Sequence, residues 1–213
     1  MKMKTPKTAL DASTREEILN MAQKVFAEVG FKEATVRQIC KAAKANVCLI
    51  SYYFGGKGGL YNAVFERVGQ DRVEQMRSFL GNSAAISTAA DYRLRLQLFL
   101  EAFHKEIASK PDFFKMVHRE IVDGMPRSET VIKNYIGTSR QIFVDFLEAG
   151  QKQKFINKDL DPQFAAMCVI NMFTGFLQQQ LNCSDFFFKG INPKEVSEKI
   201  LKTVSTIFFE GVL

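Results

Sequence analysis

The sequence of 213 residues has no tryptophan, only two histidines and only four cysteines, which are Cys40, Cys48, Cys168 and Cys183. The cysteines form no Cys-x-x-Cys pair, and none has zinc-ligand spacing to a histidine. Because zinc sites are built from closely spaced ligands, we expect no metal site. Cys40 and Cys168 fall on apolar helical stripes, which predicts that both are small buried residues.

Long apolar runs and a signal peptide are also missing. No segment approaches the roughly 18 consecutive apolar residues of a membrane-spanning helix. The N-terminus is polar and basic, without the apolar segment that a secretory signal requires. We therefore expect a cytoplasmic protein that has no membrane partner.

Motifs of the common enzyme classes are absent as well. The sequence contains no nucleophile elbow and no metal-spaced set of His and Cys. Residues 55–59 read Gly-Gly-Lys-Gly-Gly, but they lack the Walker spacing and follow no predicted strand. We therefore expect neither catalytic residues nor a cofactor, and an enzyme is kept as the competing class that an activity screen tests.

Basic charge is concentrated in the first quarter of the chain. Residues 1–60 contain ten Lys and Arg against five Asp and Glu, whereas the remaining 153 residues contain 19 against 18. This excess would attract a polyanion such as DNA to the N-terminal segment. The alternative is a solvated basic tail at residues 1–7 that binds nothing specific.

Apolar residues recur at helical spacing and no strand alternation persists, so the sequence predicts an all-α fold of about nine helices. Capping-box signals at Ser13–Glu16 and Thr35–Gln38 predict where the first two helices begin. Gly30 is expected to end the first helix, and Asn46 to cap the third. Six longer helices are predicted at about Lys57–Leu80, Tyr92–Ser109, Pro111–Val122, Pro126–Gly150, Pro162–Asn182 and Pro193–Glu210.

The segment from Thr35 to Leu60 carries the strongest functional signal. Residues 35–54 predict two short helices joined by a tight turn, which can lay one helix across a DNA backbone and the next in the major groove. The pair Tyr52–Tyr53, a glycine break and a long helix follow. Many small helical pairs look similar without binding DNA, so the surrounding motifs decide the interpretation.

These motifs resemble the N-terminal pattern of the TetR family of transcriptional regulators. The matching segments, which lie within about residues 13–68, are Phe26–Gly30, Thr35–Ile39, Ala42–Ala43, Tyr52–Phe54 and Lys57–Leu60. The resemblance implies a three-helix helix-turn-helix DNA-binding domain at residues 10–57. It also implies a larger helical ligand-binding and dimerisation domain at residues 58–213.

Five positions depart from the family pattern. Lys44 stands at the usual turn glycine and Ala45 at the usual valine. Leu49, Tyr53 and Gly58 stand where threonine, histidine and glutamate are common. If the backbone at Lys44 needs a positive φ, a side chain there lowers stability. These departures motivate a third hypothesis, a helical adaptor that keeps the fold but does not bind DNA.

Residue chemistry and the resemblance together predict the DNA contacts. Arg37 is expected to bind a guanine edge through two hydrogen bonds, unless it is a surface salt-bridge partner. Further base contacts are expected from the recognition-helix residues Val47, Cys48, Leu49, Ser51 and Tyr52. Thr35, Tyr53 and Lys57 fit phosphate contacts, which set register and not sequence. For Tyr53, ordinary packing within the fold is the alternative.

The resemblance also implies a dimer interface and an effector pocket. The expected interface residues are Phe164, Cys168, Met172, Phe176, Val196, Ile200, Val204 and Ile207. The alternative is that these apolar stripes close a monomeric core. The expected pocket residues are Phe99, Phe103, Phe114, His118 and Phe173.

The sequence therefore predicts a ligand-responsive transcriptional regulator that binds a palindromic double-stranded DNA operator as a homodimer. An unidentified small-molecule effector would release it from the operator. Repression follows from the habit of the family and from no particular residue.

Overall fold

The computed structural model of the protein describes residues 9–125, 127 and 129–212. The basic tail at residues 1–7 and Pro126, the predicted start of a helix, lie outside them. Most of the described part is helical and none of it forms a strand, so the all-α prediction is confirmed. No helix within these ranges is both long and apolar enough to cross a membrane.

The helices along the described residues are α1 Ala9–Glu33, α2 Val36–Ala42, α3 Val47–Phe54, α4 Lys57–Leu80, α5 Ala89–Ser109, α6 Pro111–Val122, α7 Glu129–Ile132, α8 Thr138–Lys152, α9 Pro162–Asn182, α10 Ser184–Phe187 and α11 Pro193–Val212. A 3₁₀ turn, Ser83–Ala85, separates α4 from α5, and a π-helical turn, Lys133–Gly137, joins α7 to α8. With α7, the π turn and α8 counted as one helix, the described residues contain the predicted nine helices and the four-residue α10.

Local sequence signals explain several helix ends. α4, α6 and α9 have the predicted bounds, and the Asp161 side chain caps α9 by accepting two backbone hydrogen bonds. The capping box predicted at Ser13 is wrong, because α1 begins at Ala9 and Ser13 lies inside it. Gly30 interrupts α1 as predicted, with φ 80° and ψ 172°, a conformation that glycine adopts readily.

The chain divides into two compact units. The first unit contains the residues up to Asp71 together with Asp112–Tyr135. The second unit contains Arg72–Pro111 and the residues from Ile136 onward. The predicted domain boundary after residue 57 stays a prediction, since a compact unit need not fold on its own.

The first unit is built around an aromatic core. The Tyr61 ring contacts Phe26, Phe31 and Phe65 with centroids 4.8, 5.0 and 5.2 Å away, and Phe65 contacts Phe113 at 5.6 Å. These rings join α1, the start of α4 and α6, because each helix directs an apolar stripe inward. Residues 112–135 thus pack with the N-terminal helices despite their distance in sequence.

The junction between α3 and α4 leaves no room for a side chain at Gly59. An ideal Cβ there would lie 1.8 Å from the Phe54 carbonyl oxygen. At the neighbouring Gly58, a Cβ would meet nothing within 4 Å. Position 58 therefore has space for a side chain, whereas position 59 has none.

The second unit has its own aromatic core. Tyr92 stacks on Phe146 with centroids 4.4 Å apart, and its hydroxyl donates to the Phe146 carbonyl oxygen at 3.2 Å. His104 lies half-buried beside Phe173, and its Nε2 is 3.2 Å from the Ser197 hydroxyl. Burial lowers the pKa of the His104 imidazole, so the folded protein favours its neutral form.

Substituting the two glycines tests the close approach at the α3–α4 junction. Gly59→Ala should destabilise the protein by about 1–3 kcal/mol or prevent folding, because the methyl group overlaps a backbone oxygen that cannot move away. Gly58→Ala, the matched control, should be neutral or slightly stabilising, because alanine favours helix. Urea denaturation followed by circular dichroism measures both. Equal stabilities for the two variants would contradict the geometry.

The burial of His104 predicts a pH dependence of stability. The unfolded chain binds this proton at a higher pH than the folded protein does, so acidification through the unfolded pKa of about 6.5 favours unfolding. We expect the free energy of unfolding to fall between pH 7.5 and 5.5, and to fall less in His104→Gln. Urea titrations across this range check the difference. A variant with the same pH slope as the wild type would refute the assignment.

Candidate nucleic-acid interface

α2 and α3 form the predicted helix-turn-helix, and the predicted caps hold both N-termini. The Thr35 hydroxyl accepts a hydrogen bond from the Gln38 amide at 3.2 Å, and Gln38 Oε1 accepts one from the Thr35 amide at 2.8 Å. This reciprocal capping box fixes the start of α2. Asn46 Oδ1 accepts from the Cys48 amide at 2.9 Å, which fixes the start of α3.

The turn between α2 and α3 contains a strained residue, Lys44. Its φ is 50°, in the left-handed region that disfavours a side chain by roughly 1–2 kcal/mol. The departure from the usual glycine therefore has the conformational cost expected from the sequence. The helix-turn-helix forms in spite of it.

α3 presents two different faces. The residues that it buries are Ile50, Tyr53 and Phe54. The residues that it exposes are Val47, Cys48, Ser51 and Tyr52. Their spacing places these four on one side of the helix, opposite the buried three. Four of the five predicted base-contacting residues of α3 thus share one accessible face, and the fifth, Leu49, is half-buried.

Arg37, on α2, is the other residue predicted to contact bases. Its side chain is exposed and has no hydrogen bond or ion pair with any other described residue, so the salt-bridge alternative has no support. Lys41 and Lys44 are exposed nearby in sequence. No Asp or Glu occurs between Glu33 and Glu66, so the cations of the helix-turn-helix have no carboxylate of its own to neutralise them. Such a surface attracts phosphate.

The structure corrects the assignment of Tyr53 as a phosphate ligand. Tyr53 is 1% exposed, and its hydroxyl donates a hydrogen bond to Asp11 of α1. This bond and burial raise the pKa of Tyr53 to about 12. Tyr53 therefore holds the recognition helix against α1, which is the packing alternative. Sequence periodicity carries no signal that pairs it with Asp11.

Thr35 and Lys57, the other expected phosphate ligands, are engaged within the chain. The exposed Thr35 hydroxyl donates to Gln38 Oε1 at 2.9 Å, and a phosphate contact by Thr35 stays a prediction. Lys57 Nζ donates to the Lys32 carbonyl oxygen at 3.2 Å and lies 4.5 Å from the centre of the Phe31 ring. An ammonium group has three donors, so a phosphate contact by Lys57 stays a prediction.

A buried carboxylate from α6 completes the first unit. Glu120 is 1% exposed, and its Oε1 accepts hydrogen bonds from the Tyr61 hydroxyl at 3.1 Å and from Arg127 Nη1 at 3.0 Å. Burial and the charge of Glu120 raise the pKa of Tyr61, which stays a donor. Neighbouring Arg119 donates to two carbonyl oxygens at the end of α1, at 3.2 and 3.1 Å. Sequence analysis missed these supports of the helix-turn-helix.

Three of the five predicted pocket residues come together in the second unit. Phe103 lies 5.9 Å from Phe99 and 5.6 Å from Phe173 between ring centroids. Phe114 and His118 belong to the first unit, and His118 is exposed. A pocket role for these five residues stays a prediction.

The predicted dimer residues fall into two groups. The residues that are exposed or half-buried are Phe164, Cys168, Met172, Phe176 and Ile207. The buried residues are Val196, Ile200 and Val204, and none of them is more than 7% exposed. The predicted interface role is wrong for these three residues. They recur every four residues on the side of α11 that faces the core of the second unit. The exposure of Cys168 also corrects its predicted burial.

Comparison with known proteins identifies the helix-turn-helix. The family model described as "Bacterial regulatory proteins, tetR family" matches residues 18–64, which include α2, α3 and the start of α4. The "Probable HTH-type transcriptional regulator YttP" of Bacillus subtilis is 26% identical over 95% of this chain and 97% of its own length. The "HTH-type transcriptional repressor NicS" of Pseudomonas putida is 24% identical over 99% of both. These relatives are regulators, which confirms the expectation that the chain is not an enzyme.

Solved structures extend the likeness to the whole fold. The transcriptional regulator FadR from Bacillus subtilis, in complex with stearoyl-CoA, is similar over 93% of this chain and 99% of its own. The TM-score is 0.72 and the sequence identity is 17%. At this identity, the likeness concerns the fold alone.

The buried hydroxyl of Tyr53 predicts a difference between two adjacent tyrosines. Tyr53→Phe should lower the free energy of unfolding by about 1–3 kcal/mol, because it leaves the Asp11 carboxylate without this donor. Tyr52→Phe removes the same atom from an exposed ring and should change stability by less than about 0.5 kcal/mol. Urea denaturation of both variants measures this, and a larger loss in Tyr52→Phe would contradict the assigned roles.

Proposed function

This chain belongs to the TetR family of bacterial regulatory proteins and is a transcriptional regulator, and we propose that it acts as a homodimeric repressor. In this proposal, each chain of the dimer reads one half of a palindromic operator. A small molecule bound among the C-terminal helices releases the dimer from DNA. The protein acts in the cytoplasm, where the operator is found.

The observation that carries the proposal is the exposed face of α3, together with an exposed Arg37 that has no hydrogen bond or ion pair with the described residues. Ser51 and Tyr52 offer hydroxyl groups on this face, and Val47 offers a methyl contact for thymine. Arg37 adds a guanidinium whose paired donors fit a guanine edge. The buried face of α3 holds the helix in place, so the outward side chains can be presented without reorganising the core.

A homodimer supplies the second half of the recognition. One recognition helix reads only a few base pairs, and two helices one duplex turn apart read a palindrome. Phe164 is 66% exposed and Ile207 is 52% exposed, and large apolar side chains with this exposure are common at partner surfaces. These positions support α9 and the outer side of α11 as the dimer surface.

Two things support ligand release: what is known of similar proteins, and the requirement that a ligand shift the balance between a DNA-bound form and a released form. NicS is named a repressor, and the FadR structure contains stearoyl-CoA, so a protein of this fold holds a ligand with a long apolar chain. A ligand can release DNA only by binding the released form more tightly than the DNA-bound form. In the released form, the spacing of the two recognition helices would no longer match successive major grooves.

Binding to DNA tests the proposal directly. The wild-type protein is titrated by fluorescence anisotropy against a duplex from the region upstream of its own gene and against a shuffled duplex. We expect tighter binding to the upstream duplex, two chains per duplex, and affinity that falls as salt rises. Absence of salt-dependent binding to any duplex would favour the helical adaptor.

Variants of Arg37 separate base recognition from charge. Arg37→Ala should reduce the preference for the upstream duplex by about tenfold or more, the value of one bidentate base contact. Arg37→Lys keeps the charge but loses the planar fork, so it should lose the same preference while retaining affinity for shuffled DNA. If Arg37→Lys behaves like the wild type in the anisotropy titration, Arg37 contacts phosphate and the assignment is wrong.

A further inference from the structure

The second unit contains a buried ion pair between α4 and α5. Arg72 Nη1 donates to Glu106 Oε2 at 2.9 Å, and the two side chains are 8% and 6% exposed. The Arg72 guanidinium also lies 4.5 Å from the centre of the Phe103 ring. A buried charged pair of this kind is well stabilised only when its remaining polar atoms have hydrogen-bond partners.

One atom of this pair has no such partner. Glu106 Oε1 is buried and accepts no hydrogen bond from the described residues. The nearest cation is Lys110 Nζ at 3.8 Å, which is too far for a hydrogen bond, and the Lys110 side chain is 34% exposed. A buried acceptor left in this state is unfavourable, so the atom favours any donor that reaches it.

A cavity of about 10 Å³ lies beside this carboxylate. Its lining residues are Gln75, Met76, Phe79, Phe99, Ala102, Phe103 and Glu106. At this volume the cavity has room for about one water molecule. Gln75 is exposed, Phe79 is half-buried, and Met76 is unbranched and adaptable, so these are the α4 side chains that a ligand larger than water would have to displace.

We propose that this cavity is the polar end of the effector site and that it takes a small, uncharged apolar molecule carrying one hydroxyl group. The hydroxyl donates to Glu106 Oε1, and the apolar part packs on the rings of Phe99 and Phe103. The inference rests on the proposed function for its role in regulation, and on the geometry of the cavity for its chemistry.

Charge selects an uncharged ligand over an ionic one. Arg72 and Glu106 already neutralise each other, so an added charge would be buried without a full counter-charge. A carboxylate would face Glu106, and an ammonium would face Arg72 and compete with Lys110. A hydroxyl supplies the missing hydrogen bond without adding a charge.

Four matched probes test the chemistry on the full-length protein without DNA. Benzyl alcohol, toluene, benzylamine and benzoate share a ring and differ in the group that reaches Glu106. Affinities are measured by thermal shift and by calorimetry. We expect benzyl alcohol to bind at least about tenfold more tightly than the other three, since only it is uncharged and supplies a donor. Equal affinity for toluene, tighter binding of an ionic probe, or no binding by any probe would overturn the inference.

A cavity-filling variant tests the location. Ala102→Leu fills the cavity from its α5 wall and leaves Arg72 and Glu106 in the sequence, so it should weaken benzyl alcohol binding at least about tenfold. Ala108→Leu makes the same change at an exposed position of α5 and should bind like the wild type. Glu106→Gln should weaken benzyl alcohol more than toluene. If Glu106→Gln does not fold, Ala102→Leu still decides, and unchanged binding in that variant would overturn the location.

A final titration separates this inference from the proposed function. Benzyl alcohol is added to the wild-type protein on its upstream duplex. Release of DNA, absent in Ala102→Leu, would support both the site and its regulatory role. Binding with the predicted selectivity but without release would support the site and count against ligand release. Loss of the selectivity in a protein that binds DNA normally would overturn the site alone.

Discussion

The first unit depends on a carboxylate that is buried away from water. Glu120 is 1% exposed, and Tyr61 and Arg127 each donate a hydrogen bond to it, as a buried carboxylate requires. Losing one partner of such a buried group typically destabilises a protein by about 3–5 kcal/mol. The requirement to satisfy Glu120 therefore fixes the end of α6 against the start of α4, the helix that follows the recognition helix. Residues 112–135 are in this way part of the support of the DNA-reading surface.

The recognition helix shows how one short segment serves both packing and reading. Tyr53 turns inward to Asp11, while its neighbour Tyr52 remains accessible. Because adjacent residues on a helix point about 100° apart, two identical side chains acquire opposite roles. Lys57 packs on Phe31 and donates to a carbonyl oxygen, so it also belongs to the scaffold. Arg37 has no such engagement with the described residues, so its guanidinium is available for the base contact that we propose.

The two buried carboxylates illustrate different uses of the same chemistry. Oε1 of Glu120 has two donors, which makes it a rigid support. Glu106 accepts a hydrogen bond from Arg72 on Oε2 and none on Oε1, and the residue also lines a small cavity. A fully satisfied polar group stabilises one conformation, whereas an unsatisfied one stabilises whatever brings it a partner. The second arrangement suits a ligand site.

The sequence by itself determined the helix class, most helix ends and the DNA-reading segment, because capping boxes, prolines, glycines and apolar periodicity are local signals. It also placed Arg37 and Ser51 on exposed helix faces, since the exposed face of a helix follows from the spacing of its buried residues. Only the tertiary structure decided that Tyr53 is an anchor, that Val196 and Ile200 are core, and that His118 is exposed. Each of these depends on which residue a side chain contacts. Apolar periodicity predicts which face of a helix is buried, but it does not predict which residue of another helix packs against that face.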